Sequence, residues 1–156
     1  MREKAKRIKL AIFNMDKTYL LRKRKDKVLE AELCLMYALD DGLPHSQKEI
    51  SDAWSIPRTT MNTIIKRKER EGYLNLIPIP GKRREKQIVL TETGKQYAQG
   101  ILGEVYRAED KALSKTLQRY PEEFISALEY FVASLKEAFR EEQKVHELQK
   151  QEAVRR

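Results

Sequence analysis

The stretch SQKEISDAWSIPRTTMNTIIKRKEREG, Ser46 to Gly72, followed by YLNLIPIPGKRREKQIVLT, Tyr73 to Thr91, decides how this chain folds. Ser46-Gln47-Lys48-Glu49 has the form of a capping box. The Ser46 hydroxyl can take the Glu49 amide proton while the Glu49 carboxylate reaches back to the Ser46 amide. Ile50, Ala53 and Trp54 then supply the inward side of a short helix. Ser55-Ile56 reads as a tight turn, and Pro57 suits the first position of a second helix, where its missing N–H costs nothing. That helix ends at Gly72, a residue that accepts a left-handed cap. From Tyr73 to Ile79 the residues are rich in β-formers, Pro80-Gly81 starts a turn, and Gln87 to Leu90 is a return strand. Pro78 cannot donate to a ladder, so the first strand is expected at an edge or to end early. Two short helices at an angle, then a hairpin with Lys82, Arg83 and Arg84 at its tip, make a winged helix-turn-helix.

Outward from this centre the pattern is helical. Arg7 to Arg24 carries one apolar stripe, Ile8, Ala11, Ile12, Met15 and Tyr19, and a second one of Leu10, Phe13, Leu20 and Leu21. A surface helix needs only one stripe, so the second predicts packing against a partner subunit. The run RKRKDK, Arg22 to Lys27, reads as a charged linker. Val28 to Leu39 is apolar nearly all round and is predicted to be buried, ending at Asp40-Asp41-Gly42 before Pro44. Thr91 can cap a long helix towards Tyr120 whose inward side includes Ile101, Val105, Ala108 and Ala112, flanked by Leu102 and Leu113. Pro121 opens a last helix with the stripe Phe124, Leu128, Phe131, Leu135, flanked by Val132 and Phe139. Beyond Arg140 the residues are mostly charged and suit a solvated helix end. The expectation is a mostly α fold with a small β-hairpin wing. Residues 28–100 form a winged helix-turn-helix lobe, and 1–27 with 101–156 a helical dimerisation region, within a single structural domain.

The 156 residues carry a formal net charge of +8 with 36% charged side chains. That balance favours a polyanionic partner. One cysteine rules out an intrachain disulfide framework and suits a reducing cytoplasm. No apolar run approaches the roughly 20 residues of a membrane helix, and the N-terminus does not read as a signal peptide.

On a helical wheel, Pro57 to Gly72 divides in two. Met61, Ile64, Ile65 and the stem of Lys68 face one way; Thr59, Asn62, Thr63, Lys66 and Arg70 face the other. Hydroxyls, an amide and cations are the groups that bond bases and phosphates, and the major groove admits such a helix. The first residues of a groove-inserted helix point at base edges. Thr59, Thr60, Asn62 and Thr63 are therefore assigned to bases, and Lys66 and Arg67 to phosphate. Ser46, Gln47 and Arg58 at the helix N-termini join the candidate DNA surface. So do Lys82, Arg83, Arg84 and Lys86 of the wing, where an arginine can enter a minor groove.

Val28 to Ala98 resembles the MarR family of bacterial transcriptional regulators. The run Ser46 to Leu74 looks like that family's first helix, turn and recognition helix. The wing ends in Arg83-Arg84, and IVLTETGKQYA, Ile88 to Ala98, is similar to its return strand and LT-x-x-G start of a long helix. The resemblance implies a homodimer that binds pseudo-palindromic operators and is often released by a small molecule. Dimer contacts would then fall on Ile8, Ile12, Met15, Phe124, Leu128, Phe131 and Leu135. The chain departs from the family pattern at Lys82, where an acid is usual, at Ser55 for glycine, at Pro57 for Asp or Ser, and at Lys68 for leucine.

The leading function is a cytoplasmic DNA-binding repressor with no cofactor or metal. A winged-helix protein-interaction module without DNA binding is the alternative. An enzyme finds little support: the chain has no glycine-rich phosphate loop, metal-ligand cluster or nucleophile–base arrangement. Cys34 is read as an inert thiol, lacking the cationic neighbour that would activate it. His45 and His146 are far apart, and His45 suits a loop before the Ser46 cap. Trp54, Tyr37 and Met15 could line an effector pocket, but core packing is preferred for all three.

Overall fold

The computed structural model describes residues 1–22 and 27–154, with side chains for all of these except 20–22, 27–29, 83, 84 and 151–154. The predicted linker Arg22 to Lys27 falls mostly outside them. In order, the elements are α1 (Arg2–Arg22), α2 (Lys27–Leu39), β1 (His45–Ser46), α3 (Gln47–Ala53), α4 (Arg58–Arg70), β2 (Leu74–Ile79), β3 (Lys82–Leu90), α5 (Glu92–Leu117) and α6 (Glu123–Val154). Two compact units divide the chain at residues 106 and 107, so that α5 runs from one into the other.

In the first unit, α2, α3, α4 and the start of α5 enclose one core. Leu35, Met36 and Leu39 of α2 meet Ile50 of α3, Met61, Ile64 and Ile65 of α4, and Ala98 and Leu102 of α5. Leu74 and Ile88 close it from the sheet. Each large apolar side chain so buried stabilises the fold by about 1.5–3 kcal/mol. The stripe read from α4 is confirmed, with Lys68 buried beside its three apolar residues. On α5 the buried seam is Gly94, Ala98, Leu102 and Val105. Ala108 and Ala112, expected inward, are exposed.

The sheet has the order β1-β3-β2 and is antiparallel throughout. β2 is an edge, as Pro78 requires. β1 was not anticipated: His45, read as a loop residue, pairs with Ile88, and Ser46 pairs with Gln87. The return strand also begins earlier than expected, at Lys82 rather than Gln87. The reason lies in the register. Pro78 faces Lys86 but the next residue, Ile79, faces Lys82. Three residues of β3 are thus accommodated in a bulge against none of β2, and only Pro80-Gly81 makes the turn.

Local chemistry sets the helix ends. Both capping-box bonds form: the Glu49 amide donates to Ser46 Oγ at 3.2 Å, and the Ser46 amide to Glu49 Oε2 at 2.7 Å. Pro57 is the N-cap of α4 rather than its first residue, and it offers no side-chain cap. Gln47 supplies a tie there instead, its Nε2 donating to the Arg58 carbonyl at 2.8 Å. The turn between α3 and α4 places Ser55 at φ 52°, a left-handed conformation unusual for a residue with a Cβ. At the far end of α4, Gly72 has φ 80°. Its amide donates to Glu69 O and the Tyr73 amide to Lys68 O, both at 3.0 Å. This is the paired cap that a left-handed glycine permits.

Thr91 joins the wing to α5. Its amide donates to Tyr73 O at 3.0 Å, its hydroxyl donates to Gly72 O at 2.7 Å, and the Gly94 amide donates to that same hydroxyl oxygen at 3.0 Å. The chain passes so close here that a Cβ on Gly94 would lie 2.0 Å from Tyr73 O.

The second unit holds the end of α5 and all of α6. Arg119 and Tyr120 donate to the Thr116 carbonyl and tighten the last turn of α5, which stops at Leu117, short of Tyr120. Pro121 lies just ahead of α6, whose first residue is Glu123. Ile125, Phe131 and Ser134 are half-buried in α6, while Leu128, Val132, Leu135 and Phe139 remain exposed.

Gly94→Ala forces backbone apart at the Tyr73 carbonyl and is expected to cost about 2–3 kcal/mol, the upper part of the overpacking range. Gly100→Ala, on the same helix but facing open space, should instead be neutral or stabilising by up to about 1 kcal/mol. Urea unfolding of the two variants side by side checks this; equal losses would show that the close approach is not limiting.

Candidate nucleic-acid interface

α4 presents Thr59, Thr63, Lys66 and Arg70 as exposed residues, with Thr60 and Asn62 half-buried at the margins. Two of these side chains are already partly engaged: the Thr63 hydroxyl donates to Thr59 O at 3.0 Å and Arg70 Nε to Lys66 O at 3.4 Å. Arg58 is 62% exposed at the first turn and lies 3.7 Å from Asp52. An exposed pair at that distance contributes little, so the guanidinium is available to another anion. Ser46 and Gln47, assigned to the same surface by sequence, spend their side chains on the α3 cap and the α3–α4 tie.

Arg67 and Lys68 take a different direction. The Arg67 guanidinium meets the Glu32 carboxylate of α2 through its Nη2, and its Nε lies 3.9 Å from Glu71. Lys68 Nζ lies 2.7 Å from Glu32 and 2.8 Å from Glu71. It also donates to the Tyr97 hydroxyl of α5 at 3.1 Å, and that hydroxyl in turn donates to Glu32. Glu32 and Lys68 are each only 4% exposed. Tyr73 and Tyr97 stack at 4.3 Å, and the ammonium sits over both rings, at 5.2 and 4.4 Å from their centroids. Two carboxylates face two cations, so the cluster is neutral as a whole. Burial alone pushes the Lys68 ammonium towards losing its proton, but its bonds to Glu32, Glu71 and Tyr97 outweigh this and hold its pKa above the ordinary value. Burial, then the bond to Glu32, raises that of Tyr97.

In the wing, Lys82 Nζ pairs with Glu85 at 2.7 Å. That bond raises the lysine pKa and lowers the carboxylate's. Lys86 is exposed opposite Pro78. The backbone of Arg83 and Arg84 belongs to β3, and their side chains lie outside those described. The Ser46 amide bond lowers the Glu49 pKa, so this cap persists to lower pH than an isolated glutamate would allow.

Sequence reasoning passed over Glu32, Tyr73 and Tyr97. A lone acid on the apolar side of α2 was the available signal, since such a group must find a cation when buried. Trp54 and Tyr37, expected in the core, are instead an exposed pair. Their rings meet edge to face at 5.5 Å, and Tyr37 makes a similar contact with Tyr106 at 5.4 Å. Met15 is also exposed. Cys34 is half-buried, and burial together with the Glu30 charge pushes its thiol up to about 11, which agrees with an inert thiol. Among the described residues no cluster of metal-ligating side chains occurs, and no helix is long and apolar enough to cross a membrane.

A helix-turn-helix whose second helix is followed by an antiparallel wing defines a winged helix-turn-helix protein. No family model and no curated protein sequence matches the chain. Solved structures do. A MarR family regulator from Neisseria meningitidis, NMB1585, is 21% identical, with 90% of this chain and 96% of that one covered at a TM-score of 0.70. MepR from S. aureus in its DNA-binding conformation is 17% identical over 84% and 97% at 0.63. NadR in complex with 4-hydroxyphenylacetate is 16% identical over 82% and 91% at 0.61. The chain has the winged-helix fold of the MarR regulators.

The raised pKa values of Lys68 and Tyr97 fix a sign for alkaline stability. Their contribution is fully present below about pH 10, the ordinary range of both groups, and is lost as pH climbs through the higher folded-state values. Denaturant midpoints should therefore be level from pH 7 to 9 and fall above 10. Lys68→Met should flatten that fall, and an equally steep fall in the variant would exclude Lys68 as its source. Ser46→Ala is expected to cost about 1 kcal/mol through the lost cap, read by the same titration at neutral pH.

Proposed function

We propose that this chain is a sequence-specific DNA-binding transcriptional regulator. It acts as a homodimeric repressor on a pseudo-palindromic operator and is open to release by a small-molecule effector. The observation that carries the reading is the outward face of α4. Thr59, Asn62, Thr63, Lys66 and Arg70 stand on a helix backed by a rigid core, beside a wing strand that runs Lys82, Arg83, Arg84, Glu85, Lys86. Such a helix fits a major groove, and a basic wing fits the adjoining backbone or minor groove. The net charge of +8 supports association with a polyanion.

Dimerisation is supported by apolar side chains left uncovered in one chain. Leu10, Phe13, Met15 and Tyr19 of α1 are exposed, Phe13 by 65%. So are Phe124, Leu128 and Leu135 of α6, whereas Ile8, Ile12 and Phe131 are half-buried. Large apolar side chains left exposed along a helix mark an interaction site, and α1 and α6 each carry such a set. Two-fold symmetry then sets two recognition helices about 34 Å apart, one turn of DNA. Effector release rests on the fold it shares with NadR, whose structure holds 4-hydroxyphenylacetate.

Selection from a random-core duplex library by the full chain tests the reading. Enrichment of a two-fold symmetric motif with half-sites about 10 base pairs apart supports it. Binding that is salt-labile and enriches nothing would leave charge alone, and favour a protein-interaction module. On the enriched duplex Asn62→Ala should cost about 1–3 kcal/mol, with little loss on scrambled DNA, if Asn62 reads a base. Lys66→Ala should weaken both and reduce the salt slope by about 0.9, one phosphate's share. Leu128→Asp should shift the sedimenting species towards monomer; an unchanged species would move the dimer contact away from α6.

A further inference from the structure

The Glu32 cluster lies at one end of α4 and the Gln47–Arg58 tie at the other. Between them α4 is held by Met61, Ile64 and Ile65. Aliphatic contacts are non-directional and tolerate a helix turning about its own axis; hydrogen bonds and ion pairs do not. Glu32 belongs to α2 and Tyr97 to α5, and both converge on Lys68. Arg67, one residue earlier, grips the other oxygen of the same carboxylate. We propose that Glu32, Lys68 and Arg67 form a positioning clamp. It fixes the roll of α4 about its axis and so sets the sequence selectivity of the DNA face rather than its general affinity for duplex. The proposal rests on the DNA-binding reading above.

The geometry gives the reason for selectivity. Side-chain tips lie about 6 Å from a helix axis. A roll of about 20° carries them by about 2 Å, while the hydrogen-bond window is about 0.5 Å wide. Base-edge contacts from short side chains such as Thr59 and Asn62 cannot absorb that displacement. Phosphate contacts from Lys66 can, because its long stem re-aims the charge. Buried ion pairs are also a poor source of stability: desolvation of Glu32 and Lys68 offsets most of their attraction, and an apolar replacement is often tolerated. What the clamp adds over an apolar contact is direction.

The experiment uses the full chain and three variants, Lys68→Met, Glu32→Gln and the cation-keeping control Lys68→Arg. Lys68→Met leaves Glu32 with Arg67 and Tyr97. Glu32→Gln keeps the shape and an acceptor for the Tyr97 hydroxyl, and it carries the test if Lys68→Met does not fold. Circular dichroism and urea unfolding establish folding. Affinity is then measured for the duplex enriched by the wild-type chain and for a scrambled duplex of the same length, across salt. The expected result is a loss of at least tenfold on the enriched duplex, with affinity and salt slope on the scrambled duplex within twofold of wild type. A repeated selection with the variant should return a broadened motif, and Lys68→Arg, which keeps the cation, should retain most of the selectivity. An equal loss on both duplexes, or an unchanged ratio, overturns the clamp while leaving the DNA reading in place. A wild-type chain that enriches no motif overturns the DNA reading, and the clamp falls with it.

Discussion

A carboxylate removed from water has to be surrounded by donors, and the arrangement of the first unit turns on how Glu32 meets that demand. It stands on the inward side of a helix whose other buried residues, among those described, are Ala31, Leu35, Met36 and Leu39. An isolated charge there would be expelled or neutralised. Instead three side chains reach it, two from α4 and one from α5. Three helices distant in sequence are thereby held at one point. The inward face of α4 is correspondingly not wholly apolar: Lys68 occupies a core position because its charge has a destination, and the stacked rings of Tyr73 and Tyr97 shield it from solvent.

The wing is tied to the same frame by backbone. Tyr73 follows the cap of α4 and opens the hairpin, and its carbonyl receives the Thr91 amide from the other strand. Thr91 is at once the hairpin's closing residue, an acceptor for the first turn of α5 and a donor to Gly72. β1 adds a second tie, because the residue that caps α3 is itself paired with Gln87 of β3. The helix-turn-helix and the wing thus share Ser46 at one end and Gly72–Tyr73 at the other. A displacement of either element is transmitted to the other through short, stiff connections rather than a loop.

What could be read from the chain follows the range of the forces involved. The capping box, the glycine cap of α4 and its apolar stripe are local, each set within about one turn of helix, and all three were legible. Pro78 announced an edge strand for the same reason. The bulge beside it was not legible, since a register depends on which residue of the partner strand is opposite. β1 escaped because two residues carry no periodicity. Lys68 could be placed inward by its spacing, but its partner is 36 residues earlier, and no local pattern connects them. Arg67 sits on the flank of the helical wheel, where spacing leaves its direction open; the position of Glu32 decides it. Helical spacing places Trp54 and Tyr37 in the core, but spacing does not show that the two rings pack edge to face on each other while staying exposed. On the candidate DNA face, residue types could be chosen from chemistry, but the prior engagement of Ser46 and Gln47 in capping and tying depends on tertiary neighbours.

Trp54 is the chain's single tryptophan. It stands at the end of α3, immediately before the left-handed Ser55, with its ring against Tyr37 of α2. The molecule therefore carries its own optical reporter at the joint between the two helices of the motif. Its emission comes from one place, is unmixed with that of any other indole, and responds to whether Tyr37 remains beside it. A rearrangement of α2 against α3 can be followed in the unlabelled protein, in real time and at low concentration.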